Sequence, residues 1–382
     1  MPNPFYYGGY IKDSSQFMGR TWELQRIFSL LDTAHTGQLQ SISIVGHRRI
    51  GRSSLLYHLV QAYSENLTAP DSYLLAFLDL QSGRYETLSG LLGGIVQQLL
   101  QEVQLPQAEE LHPIHEVLRL ASSGGGVTIS LFTEAIESVG SLPGPRRWPV
   151  VCLDEFEQLV EEPYREQFPE RLYDCWRALM SGSQVAFVTV SQRSLEELAA
   201  QKQLTSPFFN VFTTVPLGEF TDLEARALVN RGRTCDQPFS NADCEAVLRM
   251  GGRHPYKLQL AGSLVYEHKA QGQQVDLEAV QQEYQRQIDF IFGRRPAWWR
   301  SMLVCVWGGL RWLVLSPRHI GRLARFIGFS LDDLLNWIVG VLLLVLVALV
   351  LWSVITVEGL EFWLDLVDVL RKWLKRFLQR EG

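Results

Sequence analysis

The pattern of apolar and polar positions predicts strands that alternate with helices. Five short apolar runs have the length and composition of buried strands. Stretches of helical period separate them, which favours an α/β class with a parallel sheet. We expect the second run to lie beside the first, and the fourth to follow the third and end at Ser191. The runs cover residues 41–45, 73–80, 148–156, 184–191 and 211–217.

A second group of helical patterns follows the last predicted strand. Turn-forming residues such as Asn241 and Gly272 separate its members, and Pro255 suits a first helical turn. We expect these segments to form a small helical domain, or lid, beside the sheet. They cover residues 221–232, 240–250, 255–271 and 276–292.

Residues 334–357 form a run of 24 residues without a charge. As a helix this run would be about 36 Å long, against about 30 Å for the hydrocarbon core of a bilayer. Trp337 and Trp352 stand near its two ends, where indole rings favour the membrane interface. The run predicts one transmembrane helix, so the lipid bilayer is a predicted partner.

Two segments beside this run have interfacial character. Residues 297–315 are apolar but contain Arg300 and Arg311, which suits a helix lying on headgroups or a shallow membrane hairpin. The tail, 359–380, is amphipathic and either lies on the bilayer or pairs with the tail of a neighbouring copy. The basic residues near the membrane run are balanced on its two sides, so they do not set its orientation.

Charge is distributed unevenly along the chain. The net charge is −6, yet residues 294–382 carry +5, which leaves −11 on the first 293 residues. An acidic body argues against a general nucleic-acid binder, while a basic, Trp-rich end favours anionic lipid. The five cysteines form no CxxC pair and no metal-ligand spacing, which indicates reduced thiols in a reducing compartment.

The first predicted strand leads into a glycine-containing loop and then a helical pattern. This strand–loop–helix order is the setting in which backbone N–H groups bind phosphate at a helix N-terminus. Arg52 stands where the motif has Lys; it keeps the charge but is longer and forked, which predicts altered geometry and slow hydrolysis. The candidate nucleotide-binding residues are Gly46, His47, Arg48, Arg49, Ile50, Gly51, Arg52, Ser53 and Ser54.

The third apolar run ends in Asp154 and Glu155. This pattern predicts that Asp154 and Ser53 hold Mg²⁺, and that Glu155 polarises the attacking water. With Arg52, these two acids are the candidate catalytic residues. Ser191, at the end of the fourth run, is predicted either to sense the terminal phosphate or simply to cap its strand.

These motifs together resemble the archaeal-type ATPases of the STAND branch of AAA+ proteins. The resemblance covers about residues 1–290. It implies binding of ATP or ADP with Mg²⁺, homo-oligomerisation on activation, and an effector region after the lid. It also places Gly19 and Arg20 near the adenine and Pro255 facing the nucleotide. The matching segments are 3–5 with 17–23, 46–56, 154–156, 215–229 and 251–261.

The predicted organisation has five parts. They are a P-loop ATPase core (1–215), a helical lid (216–292), a basic juxtamembrane segment (293–333), the transmembrane helix (334–357) and the tail (358–382). We expect a single-pass protein of the inner (cytoplasmic) membrane with its ATPase domain in the cytoplasm. Three functions fit: an ATP-controlled membrane switch in signalling or defence with an unidentified protein partner or trigger, a nucleotide-binding scaffold with little hydrolysis, and a membrane-tethered DNA-binding ATPase. No segment remains for a DNA-binding domain after the lid, which argues against the third.

Overall fold

The computed structural model describes residues 3–293, apart from 102, 104–108, 145, 162–164, 203–205 and 272–275. The chain divides into two compact units, Met1–Gly293 and Arg294–Gly382. The predicted transmembrane helix (334–357), the segment 297–315 and the tail (358–382) lie outside the described residues. Within the described ranges, no helix is both long and apolar enough to cross a bilayer.

The five predicted strands form one parallel sheet in the order β2-β3-β4-β1-β5. The α/β prediction is therefore confirmed. The expected pairing of β2 with β1 is wrong, because β3 and β4 lie between them; strand order depends on long-range packing that a local pattern does not encode. The strands are β1 Ser41–Gly46, β2 Tyr73–Asp79, β3 Trp148–Asp154, β4 Ala186–Ser191 and β5 Phe212–Leu217.

Helices cover both faces of the sheet. Alternate residues of β3 face opposite ways, so that Val151 and Leu153 enter one apolar core while Val150 and Cys152 enter the other. The first core packs on α3 to α7 and the second on α1 and α2. These helices are α1 Thr21–Leu31, α2 Arg52–Asn66, α3 Leu88–Leu99, α4 His112–Ser123, α5 Ile129–Ser138, α6 Glu170–Ser181 and α7 Leu195–Lys202.

In its described residues, the lid has four α-helices around a third apolar core. The first two begin with capping boxes, Thr221 with Glu224 and Ser240 with Asp243, and the third begins at Pro255, where a missing N–H costs nothing. The predicted segment 221–232 ends as a 3₁₀ turn after Asn230. The helices are α8 Asp222–Asn230, α9 Asn241–Gly251, α10 Pro255–Ala270 and α11 Leu277–Phe292.

The N-terminal segment, residues 3–12, connects the lid to the core. Phe5 is 3% exposed in the lid core and stacks on Phe239 with ring centroids 5.4 Å apart. The backbone N–H of Tyr6 donates to the Gln259 side chain on α10, at 3.0 Å. Further along, the N–H of Ile11 donates to Ser54 Oγ on α2, at 2.9 Å.

Candidate functional site

The site lies where the carboxyl ends of three neighbouring strands meet. β1 is flanked by β4 and β5, and β4 is flanked on its other side by β3. The loops that leave β1, β3 and β4 therefore converge at one edge of the sheet. In open parallel sheets this edge is where ligands bind.

The loop between β1 and α2 has the backbone of a phosphate-binding turn. A Cβ on Gly46 would lie 2.8 Å from both the Leu217 carbonyl oxygen and Ile50 Cγ2, so only glycine fits there. Gly51 caps α2 with φ 100°, in the left-handed region that favours glycine. A Cβ on Gly51 would meet no atom within 4 Å, so the turn is open on the side that faces outward.

Ser53 and Asp154 are brought together at the base of this turn. The Ser53 hydroxyl is close enough to Asp154 to lower the pKa of its carboxyl group, and Asp154 is 4% exposed. The pKa of Asp154 is raised to about 6: burial contributes most and the charges of Glu155 and Asp79 add to it, while the Ser53 hydroxyl and the charge of Arg52 act against it. Asp79 ends β2 in direct register with Asp154. A cation at this point would relieve the cost of burying the Asp154 charge.

Arg52 and Glu155 form an ion pair across the site. Arg52 Nη2 lies 3.1 Å from Glu155 Oε1, and the Arg52 side chain is 5% exposed. Glu155 has φ 53°, a left-handed conformation that costs about 1–2 kcal/mol for a residue with a Cβ. The strained turn directs the glutamate toward the loop that carries Arg52.

Ser191 is buried at the end of β4, and its hydroxyl donates to the carbonyl oxygen of Arg193 at 2.7 Å. This bond favours the strand-cap interpretation over phosphate sensing. The next residue, Gln192, lies at the cavity, and its backbone N–H donates to Glu157 Oε1 at 3.2 Å. Gln192 is therefore better placed than Ser191 to contact a ligand.

Arg20 ties the site to the lid. Its Nη2 donates to the carbonyl oxygen of Ile50 in the turn at 2.9 Å, and Nη1 pairs with Glu23 at 3.0 Å. Its backbone N–H donates to Glu224 of α8 at 2.6 Å. Gly19 lies directly against the same glutamate, because a Cβ there would be 2.6 Å from Glu224 Oε1. Arg20 lines the cavity, whereas Gly19 serves the contact between core and lid.

A cavity of about 530 Å³ lies above these groups, a volume suited to a ligand of nucleotide size. Its walls come from the turn, the N-terminal segment, Gln81, Glu155, Gln192 and the lid. Gly46 and Asp154 are buried behind this wall, and His47 is exposed outside it. Arg49 closes one side, with its guanidinium 4.8 Å from the ring centroid of Tyr256 on α10. The predicted residues on the wall are Arg20, Arg48, Arg49, Ile50, Gly51, Arg52, Ser53, Ser54, Glu155 and Pro255.

Several residues of the site were not predicted from the sequence. Asp79 ends an apolar strand, and that signal was available once β2 was assigned. Tyr6, Tyr7 and Tyr10 line the cavity from a segment without helical or strand period. Glu157, two residues beyond the acidic motif, is buried next to Arg52, and only the folded turn brings it there.

Metal binding at this site would involve few protein ligands. In the described part of the chain, no group of three or more His, Cys, Asp or Glu side chains is arranged to hold a metal by itself. Ser53 and Asp154 together offer one hydroxyl and one carboxylate. That donor set fits Mg²⁺, which protein sites commonly hold through one or two oxygen ligands with phosphate and water as the others.

Many solved structures resemble the fold, and two of them illustrate the extent of the likeness. The chain is similar to the Walker-type ATPase paby2304 of Pyrococcus abyssi, with 13% identity over 77% of this chain and 79% of that one, at a TM-score of 0.53. It is also similar to the ORC2 protein of Aeropyrum pernix in its ADPNP–ADP complexes, with 14% identity over 75% and 71% of the two chains, at a TM-score of 0.53. At these identities the likeness concerns the fold.

The family comparison reaches further than the structural one. A search of the curated proteins found no match to this sequence. The family described as Novel STAND NTPase 2 matches residues 36–296, which is more than half of the chain and includes the phosphate-binding turn, the acidic strand and the lid. The STAND resemblance suggested by the motifs is thus confirmed, and the chain belongs to the Novel STAND NTPase 2 family of NTPases.

Proposed function

We propose that this NTPase is a membrane-anchored, ATP-controlled switch. Mg²⁺-ATP occupies the turn at residues 46–54, and the lid responds to the nucleotide. The response reaches the segment after residue 293, where a helix at 334–357 holds the protein in the cytoplasmic membrane. In this proposal the NTPase domain faces the cytoplasm, copies of the chain assemble on activation, and the role is in signalling or defence.

The observation that carries the nucleotide part is the open glycine turn at the N-terminus of α2, with Ser53 beside the buried carboxylate of Asp154 and Arg52 paired with Glu155. A hydroxyl and a buried carboxylate meet there next to the N-terminus of α2, whose partial positive charge attracts phosphate. Arg48, Arg49 and Arg52 add three cationic side chains to the same wall. This arrangement favours a polyphosphate and its counter-cation over an uncharged ligand.

The residues divide the work of hydrolysis among them. Backbone N–H groups of the turn and the Arg52 guanidinium bind and orient the phosphates. Glu155 orients water and accepts its proton once it is free of Arg52. Ser53 and Asp154 would hold Mg²⁺, which supplies charge neutralisation on the phosphates when bound. Arg20 links the turn to the lid through its hydrogen bonds to Ile50 and Glu224.

One contact favours the scaffold alternative, in which nucleotide binds but turns over little. The ion pair between Arg52 and Glu155 occupies the glutamate that hydrolysis needs. If bound ATP leaves this pair intact, the protein is a nucleotide-binding scaffold. The measured turnover decides between the two functions.

Calorimetry on the full chain in mild detergent tests nucleotide binding. We expect ATP with Mg²⁺ to bind, and Asp154→Asn to weaken that binding by removing a metal-ligating charge. Glu155→Gln should bind ATP but abolish any hydrolysis. Glu196→Gln, an exposed site on α7, is the matched control and should change neither. Absence of heat with both ATP and ADP for the wild type would refute the proposal.

Membrane attachment and assembly need their own measurements. Leu344→Arg combined with Val345→Lys puts two charges at the centre of the apolar run, at a cost of about 2.5–3.5 kcal/mol each. We expect this double variant to leave the membrane fraction, while Leu223→Arg, at a residue 81% exposed on α8, should stay in it. Sizing in detergent should show larger particles with Mg²⁺-ATP than with ADP; equal sizes would contradict the assembly.

A further inference from the structure

Arg52 lies between two carboxylates rather than beside one. Its Nη2 is 3.1 Å from Glu155 Oε1, and its Nη1 is 3.8 Å from Glu157 Oε1. Both arginine nitrogens belong to one planar group, so the guanidinium presents two separate donor edges. A lysine in this position would offer a single charged nitrogen. The forked side chain can thus serve two partners at once.

Glu157 is an ionisable residue that is buried and fixed in place. It is 6% exposed, and its Oε1 accepts the backbone N–H of Gln192 at the end of β4. The groups that face it are Arg52, Glu155 and that N–H; burial and the charge of Glu155 raise the pKa of Glu157 against the attraction of Arg52.

Arg52 and Glu157 each have a polar atom without a hydrogen bond where the two side chains face each other. Nη1 of Arg52 and Oε2 of Glu157 are both buried and have no hydrogen-bond partner among the described residues. Buried polar atoms of this kind are costly unless another state of the protein satisfies them. A small rotation of the guanidinium toward Glu157 would pair them.

We propose that Glu157 is a positioning residue that holds Arg52 by Nη1 while Nη2 moves from Glu155 to the terminal phosphate. This inference rests on the proposed function, because it needs a triphosphate in the turn. Without nucleotide, Nη2 blocks Glu155. With ATP, the guanidinium turns about its Glu157 edge, Glu155 is released to orient water, and Arg52 does not leave the site. Glu157 itself lies behind the cavity wall, so it acts only through Arg52.

A double-mutant cycle on the full chain in mild detergent tests this pairing, with Glu157→Gln and Arg52→Lys alone and combined. A lysine at position 52 cannot bind the phosphate and Glu157 at the same time. In the Arg52→Lys protein, Glu157 therefore has no guanidinium to position. We expect Glu157→Gln to lower kcat about tenfold in the wild type without raising KM for ATP, and less than about twofold in Arg52→Lys. Glu157→Asp, which keeps the charge, should recover part of the loss.

The controls separate positioning from damage to the fold. Glu161 lies four residues after Glu157, and its carboxylate pairs with Arg193. Glu161→Gln removes that carboxylate and should leave kcat unchanged. The inference would be overturned if Glu157→Gln lowered kcat by the same factor in the wild type and in Arg52→Lys. Unchanged or faster turnover in Glu157→Gln would overturn it as well. Either result would leave the proposed function standing if the wild type hydrolyses ATP.

A wild type that binds ATP without turnover still allows the test. The cycle is then measured as the ratio of ATP to ADP affinity, since only ATP offers the terminal phosphate to Nη2. We expect Glu157→Gln to reduce that ratio about fivefold in the wild type and to leave it unchanged in Arg52→Lys. An equal ratio of ATP to ADP affinity in the wild type, the two single variants and the double variant would overturn this inference but leave the proposed function standing. A wild type that binds neither nucleotide would instead refute the proposed function, and the inference with it.

Discussion

His254, at the start of α10, should make the lid sensitive to acid. The pKa of its imidazole is lowered to about 4, mainly by burial and in addition by the charges of Lys257, Arg20 and His47. Its Nδ1 is buried and has no hydrogen-bond partner among the described residues, while its ring meets Phe292 edge-on with centroids 5.6 Å apart. The site therefore accepts the neutral ring and disfavours the charged one.

The sign of the effect follows from proton binding in the two states. In the unfolded chain the imidazole takes up a proton near its ordinary pKa of 6.5, whereas the folded lid delays uptake to about pH 4. Between these values the unfolded state binds more protons, so the free energy of opening falls as the pH falls. At about 1.4 kcal/mol per pH unit, acidification from pH 7 to pH 4 costs the lid about 3 kcal/mol.

Hydrogen exchange of α10 peptides in the full chain, followed by mass spectrometry, measures this opening free energy. The raised pKa values of Asp154 and Glu157 act in the opposite direction, because these folded carboxyls hold protons that the unfolded chain has released. The comparison is therefore the difference between wild type and His254→Gln at each pH. His112→Gln, at an exposed residue of α4, is the control. A difference that stays constant from pH 7 to pH 4 would refute the reasoning.

Three further predictions concern contacts around the turn and lid. Gly46→Ala should lower stability by about 1–3 kcal/mol and weaken nucleotide binding, because its Cβ meets the Leu217 carbonyl; Gly218→Ala, whose Cβ meets nothing within 4 Å, should do neither in thermal and binding assays. Phe5→Ala should destabilise the lid by about 3–5 kcal/mol, seen as faster exchange in α10 with exchange in β2 unchanged. Arg20→Met should cost about 1–3 kcal/mol by leaving the partly buried Glu23 carboxylate and the Ile50 carbonyl of the turn unpaired, and a melting temperature equal to wild type would contradict this.

The strands were predictable because each is a short apolar run bounded by turn residues, and β1 begins and ends within one residue of its pattern. The turn after it was also predictable from its glycine spacing, since Gly51 takes a left-handed φ and a Cβ on Gly46 would meet Ile50 four residues away. The starts of the lid helices were also predictable, because α8 and α9 begin with capping boxes and α10 begins at a proline.

What escaped prediction depends on partners distant in sequence. The position of β2 beside β3 is fixed by packing on α3, far from any local signal. The pairing of Arg52 with Glu155 joins residues 103 positions apart. The direction of the Ser191 hydroxyl depends on the turn that follows it. Sequence patterns identified the residue types of the site, and the fold determined which of them meet.

The N-terminal segment limits how far the lid can swing. Its N–H groups at Tyr6 and Ile11 are bonded to α10 and to α2 respectively. The five peptide units between them reach at most about 18 Å when fully extended. Any opening of the cleft wider than that must break one of the two bonds. The length of the segment between Tyr6 and Ile11 therefore sets the range of lid motion. Inserting glycines between residues 7 and 10 would widen that range.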